Sequence, residues 1–370
     1  MVWNGGVLAR IVLKAAALFA IINAIFALTQ PVPLIGRISL HNVVYPGRAR
    51  LPYGDNPALS YNLSPSDLNT MFASHAIARP KAGDEFRVVL IGDSSVWGFL
   101  LKPEETLAAR LDALELHARD GRRMRFYNLG YPIMSLTKDV LILDEALRQG
   151  ADMAIWLLTM ESFAADAQAK HPLVRYNVAR VMQLKQQAGL PINVSELAQL
   201  SLWERTLIGQ RRALADWLRL QLYGVLWAAT GIDQHYPETY TPAQRDLSSD
   251  LSWHAHLPPH LPEEALAFGV LAAGVRLTRE RNAALLLVNE PILISSGANS
   301  HLRYNAFYPR WAYDAYRARL RAWANDQRVP LLDAWDAVPQ TEFTDSAVHL
   351  TPHGVRLLAE QIGFVLRTQP

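Results

Sequence analysis

The chain has 370 residues, half of them hydrophobic, with 36 Lys plus Arg against 34 Asp plus Glu and no cysteine. Near-balanced charge gives no basic field for nucleic acid, and the missing cysteines exclude a disulfide scaffold, a thiol nucleophile and thiolate-bound metal. Length and apolar content suit one large domain, or one domain with an insertion.

Gly5 to Leu28 is mostly apolar, and from Ala15 onward only Asn23 is polar. The stretch is long enough to cross a bilayer if Arg10 and Lys14 snorkel to the near surface, and those cations favour an N-inside orientation. Ile25-Phe26-Ala27 makes a poor cleavage site, so residues 1–33 are read as an uncleaved anchor in the cell membrane, with the globular part extracytoplasmic. Residues 34–84 read as an irregular, proline-rich lead-in to which no chemistry is assigned, with one short helix starting near Ser66-Asp67.

Alternating strand and helix signals begin at Phe86. Val88 to Gly98 reads Val-Val-Leu-Ile-Gly-Asp-Ser-Ser-Val-Trp-Gly. Its apolar run fits a strand buried on both faces, ending at Gly92-Asp93-Ser94. A helix is expected over 103–118, a second strand over Met124–Leu129, a helix over Leu136–Gln149 and a third strand over Met153–Leu158. Strands alternating with helices imply a parallel sheet with right-handed crossovers, and sites in such sheets form beyond the C-terminal strand ends. Ser94 lies there.

Residues 165–262 break the alternation and read as a helical insertion, with helices expected over Val174–Gln187 and Leu202–Ala229. The second is nearly all apolar in its last two turns. It is either a cap on the core or a surface that meets a membrane or a membrane partner. Trp253-His254-Ala255-His256 and His260 carry metal-type side chains, but prolines surround them and no carboxylate is near in sequence, so neither metal nor cofactor is expected. The alternation resumes with a helix from Pro262, a fourth strand over Ala283–Val288, a helix over Tyr313–Asn325, a fifth strand over Val329–Leu332 and a last helix over Val355–Leu366. The expected α/β domain is therefore 85–164 plus 263–370.

Phe343 to Pro352 supplies the second chemical signal. Asp345 and His349 sit in one loop before the last helix. A serine nucleophile needs a base within hydrogen-bond reach, and that base needs an orienting carboxylate. Ser94, His349 and Asp345 are the catalytic candidates.

Gly92-Asp93-Ser94 and His349-Leu350-Thr351-Pro352, at opposite ends of this pattern, resemble the SGNH or GDSL hydrolase superfamily. The resemblance implies a flavodoxin-like three-layer α/β/α sandwich with Ser94 as nucleophile and with oxyanion donors after the second and third strands. Asp345 stands four residues before His349 where the family pattern has three. Ile133 occupies the family's glycine position, with Gly130 three residues earlier, and Glu161 occupies its asparagine position. Gly130, Ile133, Thr159, Glu161, Ser162 and Asn289 are the donor candidates, and a carboxylate at 161 would repel an oxyanion unless protonated. An anchor on such a domain resembles the extracytoplasmic proteins of alginate O-acetylation and teichoic-acid D-alanylation. That narrower resemblance implies an integral membrane O-acyltransferase as partner and a cell-surface glycan or acyl ester as substrate. The alternative expectation is a catalytically silent scaffold subunit of a membrane complex.

Overall fold

The structure, a computed structural model, describes residues 5–368 apart from 46, 55, 57, 194, 196, 198 and 199. Residues 1–4 of the expected anchor therefore lie outside the described residues, as do 46, 55 and 57 of the lead-in.

Helix α1 (Gly5–Thr29) carries no acid in its first turn and shows most of its apolar side chains outward. Among the described residues it is the one helix long and apolar enough to cross a membrane. The α/β body then runs β1 (Glu85–Ile91), α2 (Leu107–Asp112), β2 (Arg123–Asn128), α3 (Leu136–Arg148) and β3 (Met153–Leu158). After β3 come α4 (Val178–Ala188) and α5 (Arg211–Thr230). The body resumes with α6 (Phe268–Glu280), β4 (Ala284–Asn289), α7 (Arg310–Asp326), β5 (Leu331–Asp333) and α8 (Pro352–Thr368).

All five strands pair in parallel in the order β2-β1-β3-β4-β5. This is the flavodoxin-like doubly wound order, whose crevice opens at the C-terminal strand ends beside β1 and β3. Successive strand residues face opposite sides. Val89, Ile91, Ala154, Trp156 and Leu287 pack toward α3, α6 and α7, while Val88, Leu90, Ile155, Leu157 and Val288 pack toward α2 and α8. These strands are apolar throughout because both faces are covered, which makes the expected three layers. Each large aliphatic side chain buried there contributes about 1.5–3 kcal/mol.

Register decides where the chemistry stands. Ile91 is opposite Trp156, and Leu158 is opposite Asn289. The segments starting at Gly92, Thr159 and Glu290 therefore leave adjacent strands at one edge.

Three helices differ from the sequence expectation for local reasons. The helix expected over 103–118 is a 3-10 turn, Pro103–Glu105, followed by α2. Thr106 restarts the helix as an N-cap, accepting from the Ala109 N–H, and Glu115 (φ 50°) turns the chain back toward β2. The helix expected over 174–187 breaks at Asn177, whose amide donates to the carbonyls of Ser66 and Leu173. The long helix expected from Leu202 begins at Arg211, and residues 202–210 form successive turns.

Candidate functional site

Gly92 and Asp93 follow β1, and the chain turns directly into a one-turn helix, Ser94–Trp97. Its N-cap is Asp93, whose carboxylate accepts from the Ser95 N–H at 2.8 Å. Ser94 is thus the first helical residue and points into the crevice rather than capping the turn. Helices leave their first N–H groups without intrahelical partners, so the Ser94 backbone N–H belongs to that set.

At the far end of the chain, Phe343 pairs with Leu350, and the Thr344 N–H donates to the His349 carbonyl at 2.9 Å. Residues 344–349 form a tight loop rather than a helix. That geometry lets a four-residue spacing bring the two side chains together: His349 Nδ1 is 2.9 Å from Asp345 Oδ1. The Thr344 hydroxyl donates to the same carboxylate at 3.1 Å. His349 Nε2 is 2.8 Å from Ser94 Oγ, and the Phe99 ring lies against the imidazole with centroids 5.0 Å apart. Burial pushes the Asp345 carboxyl up, but the hydrogen bond and charge of His349 and the Thr344 hydroxyl hold it below the ordinary aspartate range. The hydroxyl, imidazole and carboxylate form one continuous hydrogen-bonded line.

The donor candidates separate. Ile133 takes φ 72°, the left-handed conformation that favours glycine, with its side chain turned half outward. A β-branched residue there is a true outlier, and such strain costs on the order of 1–3 kcal/mol. The loop holding it is pinned on both sides. Lys138 Nζ donates to the Tyr131 carbonyl at 2.7 Å, and His171 Nε2 donates to the Pro132 carbonyl at 3.1 Å. Burial, with the charge of Lys138, pushes the His171 pKa down to about 3, so its ring stays neutral. Its Nδ1 accepts from the Leu173 N–H, which fixes the tautomer. Replacing Ile133 with glycine is expected to raise stability by about 1 kcal/mol, because the strain goes. A lower melting temperature for that variant would show that the conformation is not strained.

Three donor expectations are corrected. The Gly130 N–H is spent on Asn128 Oδ1 at 3.1 Å. Its missing side chain serves close approach instead, since an added Cβ would lie 2.3 Å from the Trp97 nitrogen. Asn289 is fully buried, its amide donating to Asp333 at 2.8 Å and its carbonyl accepting from the Tyr316 hydroxyl. The Thr159 hydroxyl lies 2.5 Å from the Tyr308 hydroxyl and accepts from the Glu161 N–H. None of the three has a donor left for the crevice. Ser162 is likewise buried, in the 3-10 turn that holds Glu161.

Glu161 is not bare. Its Oε1 meets His254 Nε2 at 2.6 Å, and its Oε2 accepts from Trp253 Nε1 at 3.3 Å. The other ring nitrogen of His254 is 3.0 Å from Asp166. The imidazole is presented by a hairpin turn in which His254 and Ala255 both have positive φ, the conformation of a primed turn. The sequence reading found no carboxylate near this histidine because both lie about ninety residues away. Among the described residues, no group of three or more His, Asp or Glu side chains is arranged to hold a metal ion.

Sequence reasoning also missed the polar groups beneath the nucleophile. Lys138, fully buried, donates to the Gly92 carbonyl at 2.8 Å and pairs with Asp139 at 2.8 Å. Glu290, leaving β4, accepts from the Ser95 hydroxyl. Burial, then the charges of Asp93 and Asp139, push the Glu290 pKa well above the ordinary glutamate range, against the Ser95 bond and the Lys138 charge. Glu290 therefore holds its proton to higher pH than a free glutamate does. Its ordinary pKa is 4.5; above that value the unfolded chain loses this proton and the folded one keeps it. Stability accordingly falls as pH rises from there toward the folded pKa. Glu290→Gln does not titrate, so its advantage over the parent is expected to grow from pH 5 to pH 8, by an amount on the order of 1 kcal/mol. Melting temperatures at the two pH values test this, and an unchanging difference refutes it.

The lead-in, to which no chemistry was assigned, grips the same turn. Arg50 is fully buried and bidentate to Asp233, at 2.9 and 2.5 Å. It also donates to the carbonyls of Gly98 and Leu101 and lies over the Trp97 ring. Gln234 donates to the same two carbonyls. No local pattern marks these residues in the sequence; their partners lie about 50 and 180 residues away.

No family model matches the chain, and no curated protein matches it. Solved structures do superpose on it. A GDSL-like lipase from Bacteroides thetaiotaomicron is 11% identical, with TM-score 0.38 over 78% of this chain and 90% of that one. A carbohydrate acetylesterase from Sinorhizobium meliloti is 13% identical, with TM-score 0.35 over 76% and 98%. The native aryl esterase of M. smegmatis is 14% identical, with TM-score 0.35 over the same shares. These are likenesses of overall arrangement at low identity.

Proposed function

We propose that the chain is a membrane-anchored, extracytoplasmic serine acyl-ester enzyme of SGNH type, an O-acyltransferase or esterase acting on acyl groups of a cell-envelope polymer. The observation that carries this reading is the unbroken line from Ser94 Oγ through His349 to Asp345 at the C-terminal edge of the sheet. In the first step Ser94 Oγ bonds to the acyl carbon as its proton passes to His349 Nε2. The carbonyl electron pair moves to oxygen, where the backbone N–H groups of Ser94 and Ile133 serve as the donors. Collapse of that intermediate breaks the ester C–O bond, and the alkoxide leaves with the proton from His349. An acceptor hydroxyl, or water, then attacks the acyl-serine, gives its proton to His349, and Ser94 recovers it on release. Asp345 holds the imidazole tautomer and balances its positive form. No step draws on a cofactor.

The anchor reading is supported by the length and apolarity of α1; the N-inside orientation is supported by Arg10 and Lys14 at its start. Glu161 stands where the family has an asparagine; held by His254 and Trp253, its carboxylate offers an acceptor suited to the hydroxyls of a polymer. Labelling of the full chain with a fluorophosphonate probe tests the enzyme reading. Covalent labelling at Ser94 is expected, and none in a folded chain would overturn it in favour of a silent scaffold. Accessibility of an extracytoplasmic tag in intact cells tests the orientation.

A further inference from the structure

The surface around α5 is unusual in composition and place. Leu218, Leu222, Val225 and Ala229 recur at i, i+4, i+7 and i+11 and are all exposed. The opposite stripe, Leu220, Gln221 and Gly224, is buried, because the lead-in lies on it. Leu40 N–H donates to Gln221, His41 Nε2 meets the Leu220 carbonyl at 3.0 Å, and Trp217 donates to the Ile38 carbonyl at 3.1 Å. Gly224 is required there, since an added Cβ would fall 0.8 Å from the His41 ring. The outward stripe is thus the face left over after α5 has packed, and it is apolar where a soluble helix would be polar.

This face is continuous with the foot of α1. The Ile208 N–H donates to Asn23 Oδ1 at 3.3 Å, and Gln30 Nε2 reaches the Arg205 carbonyl at 3.5 Å. Residues 205–208 therefore lie beside the last two turns of α1, which contain its buried residues Asn23, Phe26 and Ala27. α1 has 25 residues, about five more than the roughly 20 needed to cross the hydrocarbon. Residues 205–208 run along its C-terminal turns. Leu202 and Trp203 are 70% and 63% exposed, and Val43 of the lead-in is 82% exposed. Exposed Arg205, Arg211, Arg212 and Arg219 are interleaved with these apolar residues along the chain, outnumbering Glu204 and Asp216. Exposed leucine and tryptophan bordered by arginines match the headgroup–hydrocarbon boundary of an anionic bilayer.

We propose that α5, with residues 202–203 and the exposed side chains near Val43, lies in the surface of the bilayer that α1 enters, as a second, in-plane contact. The proposal rests on the reading of α1 as an anchor. It has a consequence for the crevice. Immediately after α5, Asp233 and Gln234 grip Arg50 and the carbonyls of Gly98 and Leu101, the turn that follows Ser94–Trp97. A helix held in the membrane plane thereby holds the nucleophile turn in one orientation to that plane. A single spanning helix would leave the body free to tumble about its linker.

The chain has no cysteine, so single substitutions to cysteine give unique spin-label sites. The full chain is reconstituted in vesicles of phosphatidylcholine and phosphatidylglycerol, and collision with oxygen and with a water-soluble nickel chelate is measured at each site. Leu222→Cys is expected to favour oxygen over the chelate, as Val12→Cys in α1 does, while Glu360→Cys on α8 favours the chelate. A Leu222 label that behaves like the Glu360 label overturns the in-plane contact and leaves the anchor standing. A Leu222 label sheltered from both reagents overturns it in favour of a protein cover. If the Val12 label behaves like the Glu360 label, the anchor reading falls and this proposal with it. Val225→Cys repeats the measurement should the first variant fail to fold.

Discussion

Ser94→Ala abolishes fluorophosphonate labelling and lowers acyl-ester turnover by on the order of 10⁴-fold or more, because the group that forms the covalent bond is gone while the rest of the line stays in place. His349→Ala is expected to cost nearly as much, since Ser94 Oγ then has no base at 2.8 Å. The two changes together should cost little more than either alone, as groups acting as one unit are not additive. Asp345→Asn should cost less. Its neighbour Thr344 still holds the loop through its N–H to the His349 carbonyl, so the imidazole keeps its place and loses the charge that balances it. All four enzymes should melt within a few degrees of one another, because Ser94, His349 and Asp345 border the crevice rather than fill the core. Steady-state rates with an acetyl ester, read beside melting curves, decide the matter. Turnover that survives in Ser94→Ala removes Ser94 as the nucleophile. An equal loss in stability would reassign the line to structure.

The legible parts of this chain are those where one short stretch carries its own signal. β3 reads Met-Ala-Ile-Trp-Leu-Leu and spans the expected Met153–Leu158, because a strand covered on both faces must be apolar at every position. Alternation and right-handed crossovers implied a parallel sheet, and the order β2-β1-β3-β4-β5 is that of the flavodoxin-like arrangement that the motif resemblance implied. Ser94 and His349 were legible as the ends of two short motifs. What a motif does not contain is the fate of each donor after folding. Gly130 looked like an oxyanion donor because it is a glycine near a strand end, yet its freedom is used to let β2's loop touch the Ser94–Trp97 helix. Asn289 looked like one because it ends β4, yet it is bound to Asp333 and Tyr316 beneath the sheet edge. The four-residue spacing of Asp345 and His349 departs from the three of the family pattern; the Phe343–Leu350 pairing closes the loop and brings the two side chains together. Glu161, read alone, is a repelled carboxylate. Its partners His254 and Trp253 arrive from about ninety residues away, on a turn whose positive φ angles fall on residues that do not announce them.

Lys138→Met should destabilise the protein by about 3–5 kcal/mol, the cost of stranding one partner of a buried ion pair. Three groups lose their bond at once: the carbonyls of Gly92 and Tyr131 and the Asp139 carboxylate. The first two bracket the site, since Gly92 precedes Asp93-Ser94 and Tyr131 begins the loop that carries Ile133. Catalysis should therefore fall further than the melting temperature alone would imply at a temperature where the variant is still folded. pH separates the electrostatic part from the packing part. Burial already raises the Asp139 pKa above its ordinary value, with the charge and hydrogen bond of Lys138 pulling it back. Without Lys138 it rises more, so the folded variant holds a proton that its unfolded chain loses above the ordinary aspartate pKa. By linkage its stability then declines as pH rises, and the deficit against the parent is larger at pH 8 than at pH 5. Adding Asp139→Asn removes the stranded charge and should restore part of the stability at pH 8 and little at pH 5. It leaves both carbonyls without their donor, so turnover should stay low. A deficit that does not change with pH, or a double variant that regains full turnover, would mean that Lys138 fills space beneath Ser94 and does not hold the two site-bearing loops.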